Sequence, residues 1–206
     1  MNTKFGCKLT VMVFVILVLL PACAPVAAPA ATPTTDPLLS MVQGYVTSFN
    51  AHDLDGTMAL LTDNVSYVES QWGYNLNTKP NLQNTFDFYF GQNADIQADN
   101  CKVVSGVDVS CQGTFTIDCS RAAGIQDYHG EWFFATTGGK ISQITWWHDD
   151  QDDYQKYNHF NTQWLNWLQE NYKSDYDAIN SNSGPSGHEL GARVSAECSE
   201  FAKTLK

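Results

Sequence analysis

The chain has 206 residues, 43% hydrophobic and 13% aromatic, enough apolar material for a packed core and too much for a disordered chain. Eleven basic residues stand against 22 acidic ones, a net charge of −11, which argues against binding to a nucleic-acid phosphate backbone, since that needs a basic surface. Acidity by itself favours solubility and leaves the ligand open.

The chain opens on a segment that is not part of the fold. Lys4 and Lys8 precede an apolar run from Leu9 to Leu20. That length suits the core of a signal peptide and falls short of a membrane span. Leu20-Pro21-Ala22-Cys23 resembles a bacterial lipobox, in which the cysteine is lipidated and becomes the first mature residue, although Pro21 departs from the small residue usual there. Ordinary secretion, with cleavage near Ala22 or in the Ala-rich stretch beyond it, is the alternative. Residues 23–36 are rich in Ala, Pro and Thr and have no apolar period, so they read as a semi-extended tether. The expected arrangement is an extracytoplasmic domain held off a membrane by a lipid on Cys23.

Asp36-Pro37 starts the first helix, with Asp as cap and Pro at the first helical position. Leu39, Val42, Val46 and Phe49 follow at helical spacing, with Tyr45 beside them. Asp53 caps a second short helix with Leu54, Met58 and Leu61 on its apolar face, which makes His52-Asp53 a surface corner and not a catalytic pair. Residues 65–69 read as a strand. Pro80 opens a third helix with Leu82, Phe86 and Phe90 on one side. Strict alternation from Val107 to Cys119 predicts a strand, and strands near 126–136 and 140–148 meet at Thr137-Gly138-Gly139. After the acidic run at 149–153, one helix carries Tyr157, Phe160, Trp164, Leu168 and Tyr172. A last helix carries Leu190, Val194, Cys198, Phe201 and Leu205.

Four cysteines beyond Cys23 allow two disulfides and three connectivities. A turn at Ser105-Gly106-Val107 pairs residue 104 with 108, and so sets Cys101 opposite Cys111. Opposed positions on antiparallel strands lie about 4.5–5.5 Å apart at Cα, within disulfide range. Cys119–Cys198 is the remainder. No Cys/His spacing points to a metal, and no motif points to a cofactor.

These elements define an α+β chain. The expected architecture is a cone-shaped roll over 37–153, a curved antiparallel sheet wrapped around three N-terminal helices, followed by a C-terminal helical extension over 154–206.

"VQGYVTSFNAHDLDGTMALLTDNVSYVE", residues 42–69, resembles the opening of the nuclear transport factor 2-like superfamily. It is most similar to the branch of ketosteroid isomerase and SnoaL-like polyketide cyclases, and the resemblance spans roughly residues 38–150. That superfamily hosts many functions, so the resemblance speaks for fold more than for activity. Carried over by position, it implies Tyr45 as the catalytic tyrosine and Glu69 as the general base. Anchoring on Gly139-Lys140 makes Glu131 the second acid. Both acids are Glu here where the family has Asp, and a shift of about 1 Å in a catalytic carboxylate can cost about a hundredfold. Glu69 would take a proton beside a carbonyl, while Tyr45 and a protonated Glu131 donate to the dienolate oxygen, as in ketosteroid isomerase itself. Phe86, Phe90 and Trp132 would line an apolar pocket with His148 at its mouth.

Each of these has a plainer reading. Tyr45 serves as a packing residue across the superfamily, and Glu69 suits a solvated strand end. In "DYHGEWFF" one parity turns Asp127, His129, Glu131 and Phe133 to the pocket. The other puts Tyr128, Trp132 and Phe134 in the core and leaves Glu131 in water, the more ordinary pattern. "WWHDDQDD", residues 146–153, lacks the glycine and distal glutamate of a calcium loop, and a helix dipole accounts for its acids. The 157–172 stripe is a carbohydrate or partner surface, or core against the convex side of the sheet.

The leading expectation is a module that binds a small, mostly apolar molecule. The alternatives are a proton-transferring isomerase or cyclase, and an envelope protein that dimerises through its sheet.

Overall fold

The computed structural model describes residues 36–69, 74–148, 151–181 and 187–206. The expected signal segment and tether, with Cys23, lie outside these residues, as do Asp149 and Asp150 of the acidic run.

Helix α1 (Pro37–Asn50) begins as its sequence requires: the Asp36 carboxylate accepts from the Leu38 amide at 2.8 Å. Its buried face is Val42, Tyr45, Val46 and Phe49. Helix α2 (Leu54–Ala59) is capped by Asp53, which accepts from the Gly56 amide at 2.9 Å. Between them His52 turns the corner at φ +52°, its ring stacked on Phe90 at 4.9 Å and its Nε2 3.0 Å from the Ala94 carbonyl. It is half-buried, less exposed than a corner residue need be.

Strands β1 (Leu61–Glu69) and β2 (Tyr74–Leu76) lead to α3 (Lys79–Gly91), and then to β3 (Asp95–Val103) and β4 (Asp108–Thr116). A short helix α4 (Asp118–Ala122) precedes the hairpin of β5 (Tyr128–Thr137) and β6 (Lys140–His148). That hairpin turns on Gly138 and Gly139, both at positive φ, where a side chain would be strained. Cys119 therefore sits on a helix, one turn past the end of the strand to which its alternation assigned it.

The sheet runs β2-β1-β6-β5-β4-β3 and is curved and unclosed. It is not wholly antiparallel: β1 and β6 pair in parallel. No hairpin links these two strands, so their relative direction is left to packing. The concave face buries Val65, Tyr67, Trp132, Phe134 and Trp146 against Phe49 and Phe86 of the first and third helices.

The C-terminal extension is α5 (Gln151–Asn171), α6 (Lys173–Ile179) and α7 (His188–Thr204). Its Phe160, Trp164 and Leu168 pack with Leu190, Val194 and Phe201, onto Phe88 of α3 and Cys119 of α4. The stripe is thus core, but on the concave side of the sheet and not the convex one. Leu205 departs from that face and is exposed. Helices α3 and α7 touch through glycines: a Cβ on Gly191 would stand 2.1 Å from the Phe88 carbonyl oxygen and 3.0 Å from Gly91 Cα.

Both expected disulfides are present. Cys101–Cys111 spans β3 and β4 with Cα atoms 4.1 Å apart, at a register shift where Asn100 takes φ +52°. Cys119–Cys198 ties α4 to α7, with a Cα separation of 5.2 Å. Among the described residues no helix is long and apolar enough to cross a membrane.

Candidate functional site

A cavity of about 350 Å³ lies between the concave face of the sheet and the helices that cover it. The sheet contributes Glu69, Phe115, Tyr128 and His148; α3 and its C-cap contribute Phe88, Tyr89 and Gln92. The extension supplies the opposite wall with Tyr157, Asn161 and Trp164 of α5 and Val194 of α7. Cys119, held by its disulfide, borders it as well.

Strand parity explains the position of Glu69. Val65, Tyr67 and Glu69 alternate inward along β1, so the carboxylate follows two core residues into the fold and is only 7% exposed. The hydroxyls of Tyr67 and Tyr89 both donate to its Oε1, at 2.7 and 3.2 Å. Burial pushes the Glu69 carboxyl above the usual carboxylate range, and the two hydroxyl bonds pull it part of the way back. The hydroxyls of Tyr67 and Tyr157 are pushed up too, first by burial and then by the negative charge of Glu69.

The remaining lining is largely aromatic. Tyr128 meets His148 edge-on at 4.8 Å and Tyr157 at 5.7 Å; Tyr89 meets Phe115 at 5.3 Å. Gln92 Oε1 and Trp164 Nε1 are buried without a hydrogen-bond partner. No lysine or arginine among the described residues lines the space. Nor do they include a cluster of three or more potential metal ligands.

The structure separates the three residues that the family resemblance groups together. Glu69 faces the cavity. Tyr45 is 1% exposed and packs on Phe49, Phe86 and Phe134, outside the lining, and burial drives its hydroxyl pKa upward. Glu131 is on the other face of the sheet, exposed, accepting from the Ser110 hydroxyl and paired across strands with Trp147. The cause is the parity of β5: Tyr128, Trp132 and Phe134 take the core positions and leave the carboxylate outside. The expectation that residues 45, 69 and 131 share one hole is therefore corrected. Phe86, Phe90 and Trp132 are also core and not lining, because rings from α1 and α3 fill the deep part of the cone. His148 does line the cavity, 2% exposed.

Most of the lining escapes the sequence reading, including Tyr89, Tyr157 and Trp164, and so does Tyr67, which bonds Glu69. Tyr67 was within reach, since it shares the parity of Glu69 on one strand. Tyr89 lies off the Leu82-Phe86-Phe90 stripe, and only the tertiary fold turns it to Glu69. Tyr157 and Trp164 belong to a stripe that is legible as apolar but silent about what it covers.

No family model matches the chain, and no curated protein matches it. Solved structures do. The chain is similar to the epoxide hydrolase/cyclase-like enzyme SalBIII of pyran ring formation in polyether salinomycin. The two are 14% identical over 56% of this chain and 92% of that one, with a TM-score of 0.50. An LEH-like epoxide hydrolase of M. tuberculosis is 14% identical, over 60% and 90% of the two chains, at a TM-score of 0.48. An NTF2-like protein from Cytophaga hutchinsonii is 10% identical, over 60% and 99%, at 0.47. Likeness at such identities is likeness of fold. The chain has the nuclear transport factor 2-like fold: a curved sheet around three helices, here with three further helices across its concave side.

Proposed function

We propose that the protein binds a small, mostly apolar molecule in the cavity, and holds it without chemical conversion. One observation supports this above the others: a cavity of about 350 Å³ that is walled by aromatic side chains and, among the described residues, carries a single buried carboxylate. Ligand sites are mostly apolar, with a few placed polar groups, and this volume lies near the lower end of their range of about 300–1,000 Å³. The neutral fluorophore N-phenyl-1-naphthylamine tests the reading. Its emission should rise and shift to the blue on binding. Asn161→Trp, which grows a half-buried α5 side chain into the space, should abolish the change while the circular dichroism spectrum stays the same.

A catalytic reading is favoured by one feature, the raised pKa of Glu69, a shift in the direction that makes a carboxylate a stronger base. It loses its oxyanion donors, because neither Tyr45 nor Glu131 reaches the cavity. We expect no isomerisation of a 3-keto-Δ5 steroid at neutral pH; turnover that disappears in Glu69→Gln would replace binding with catalysis.

The proposal includes export and a lipid on Cys23, supported by the charged, apolar and lipobox-like segments of residues 1–23. In a detergent phase-partition assay the expressed protein should enter the detergent phase, and Cys23→Ser should move it to the aqueous phase. Pairing of two copies would use the convex face of the sheet, where Trp147 is 55% exposed. Sedimentation of the soluble domain measures it.

A further inference from the structure

We infer that the ligand of this cavity is an organic cation, a protonated amine or quaternary ammonium on an apolar body. The inference rests on the binding reading above and names its ligand class.

The argument begins with the walls. Phe88, Tyr89, Phe115, Tyr128, Tyr157 and Trp164 surround one space. The face of an aromatic ring carries negative electrostatic potential, and rings grouped around a hollow attract an ammonium, most strongly where water is excluded. A neutral apolar ligand would be served as well by leucine or valine, yet Ile117, Ile179 and Val194 are the only branched aliphatic residues among the described lining.

The second observation is charge. Glu69 ends in the same space, 7% exposed, and its two hydrogen bonds both fall on Oε1. Two neutral hydroxyls do not cancel a charge. Removing a carboxylate from water is costly unless a partner of opposite sign accompanies it. Folding has already met that cost, and among the described lining residues His148 is the one side chain able to carry positive charge, with no lysine or arginine beside it. A cation entering the cavity meets a carboxylate that folding has already largely withdrawn from water, 7% exposed, so the charge pair forms at little further expense on the protein side. An anion would meet the charge of Glu69, which repels it. The excess of acid over base in the whole chain acts in the same direction on the approach.

Displacement of N-phenyl-1-naphthylamine tests the inference with two ligands of the same shape. These are benzyltrimethylammonium and neopentylbenzene, its uncharged carbon isostere. The cation should displace the fluorophore at a concentration at least about tenfold lower than the isostere. In Glu69→Gln the preference should shrink several-fold toward parity, and Tyr157→Leu should weaken the cation more than the isostere. Equal displacement by the two ligands in the native protein overturns the inference and leaves the binding reading standing. A fluorophore that does not bind the native protein at all defeats the binding reading itself. The comparison within the native protein needs no variant, so a substitution that fails to fold does not remove the test.

Discussion

At Glu69 two opposing effects can be ordered. Desolvation raises its carboxyl pKa above the ordinary 4.5, and the hydroxyls of Tyr67 and Tyr89 lower it by less. The folded state thus holds this proton more tightly than the unfolded chain does. The stability it contributes is complete below about 4.5 and is lost as pH rises through the higher folded value. Glu69→Gln keeps an oxygen for both tyrosines and removes the charge. The variant should melt above the native protein at pH 7–8 and together with it near pH 4. Each kcal/mol of relief corresponds to about 2–4 °C in a domain of this size. Equal melting differences at both pH values would show that the charge is not what burial penalises. Glu197 on α7 behaves in the same sense, pushed up to about 7 by burial and then by its hydrogen bond and charge repulsion with Asp175. Residue by residue, the site was only partly legible in the sequence. Glu69 stood out because the family resemblance aligned it; Glu131 stood out for the same reason and faces water. Parity fixes which residues share a face and leaves open which face is inside, and in β5 the three bulky rings decide it.

Local grammar dictates some elements and tertiary context others. Helix α1 was legible because Asp36-Pro37 and its apolar spacing are complete within one segment, and the β5–β6 hairpin because two glycines can take positive φ. Helix α4 was not, since Ile117 and Cys119 continue the alternation of β4 past its end. The first half of β3, Asp95–Asn100, is too polar to read as a strand until β4 pairs with it. The parallel contact of β1 with β6 has no local signal at all. The α3–α7 crossing gives an element-scale prediction. In isolation, Gly→Ala within a helix gains about 1 kcal/mol. At Gly191 the new methyl would stand 2.1 Å from a backbone oxygen, so the helices must part. Overpacking of that kind costs about 1–3 kcal/mol. Gly191→Ala should therefore lower the melting temperature despite its better helix propensity, whereas an unchanged or higher value would mean that the crossing relaxes without cost.

For the molecule as a whole, the two disulfides make unequal contributions. Cys101–Cys111 closes a separation of 10 residues and Cys119–Cys198 one of 79. Loop-closure entropy gives about 2.7 kcal/mol for the first and about 4.5 kcal/mol for the second. Replacing Cys119 and Cys198 by alanine should cost the more in a denaturant titration. It should also weaken fluorophore binding, because α7 and Val194 border the cavity; the Cys101/Cys111 pair should affect stability alone. A reversed order would show that the unfolded chain retains contacts between its ends.

The hollow is bounded on one side by a sheet that ends at residue 148 and on the other by helices that begin at 151. The helices are not an independent layer: their hydrophobic cluster takes in Phe88 of α3 and Cys119 of α4, and Tyr89 and Tyr157 pack against both clusters. Positions 157 and 161 are half-buried and could change with little loss of packing, whereas Trp164 and Val194, 4% and 2% exposed, also hold α5 and α7 together. On this side of the hollow, lining and core are partly the same side chains, so a change in what the wall presents is also a change in how the covering helices hold together.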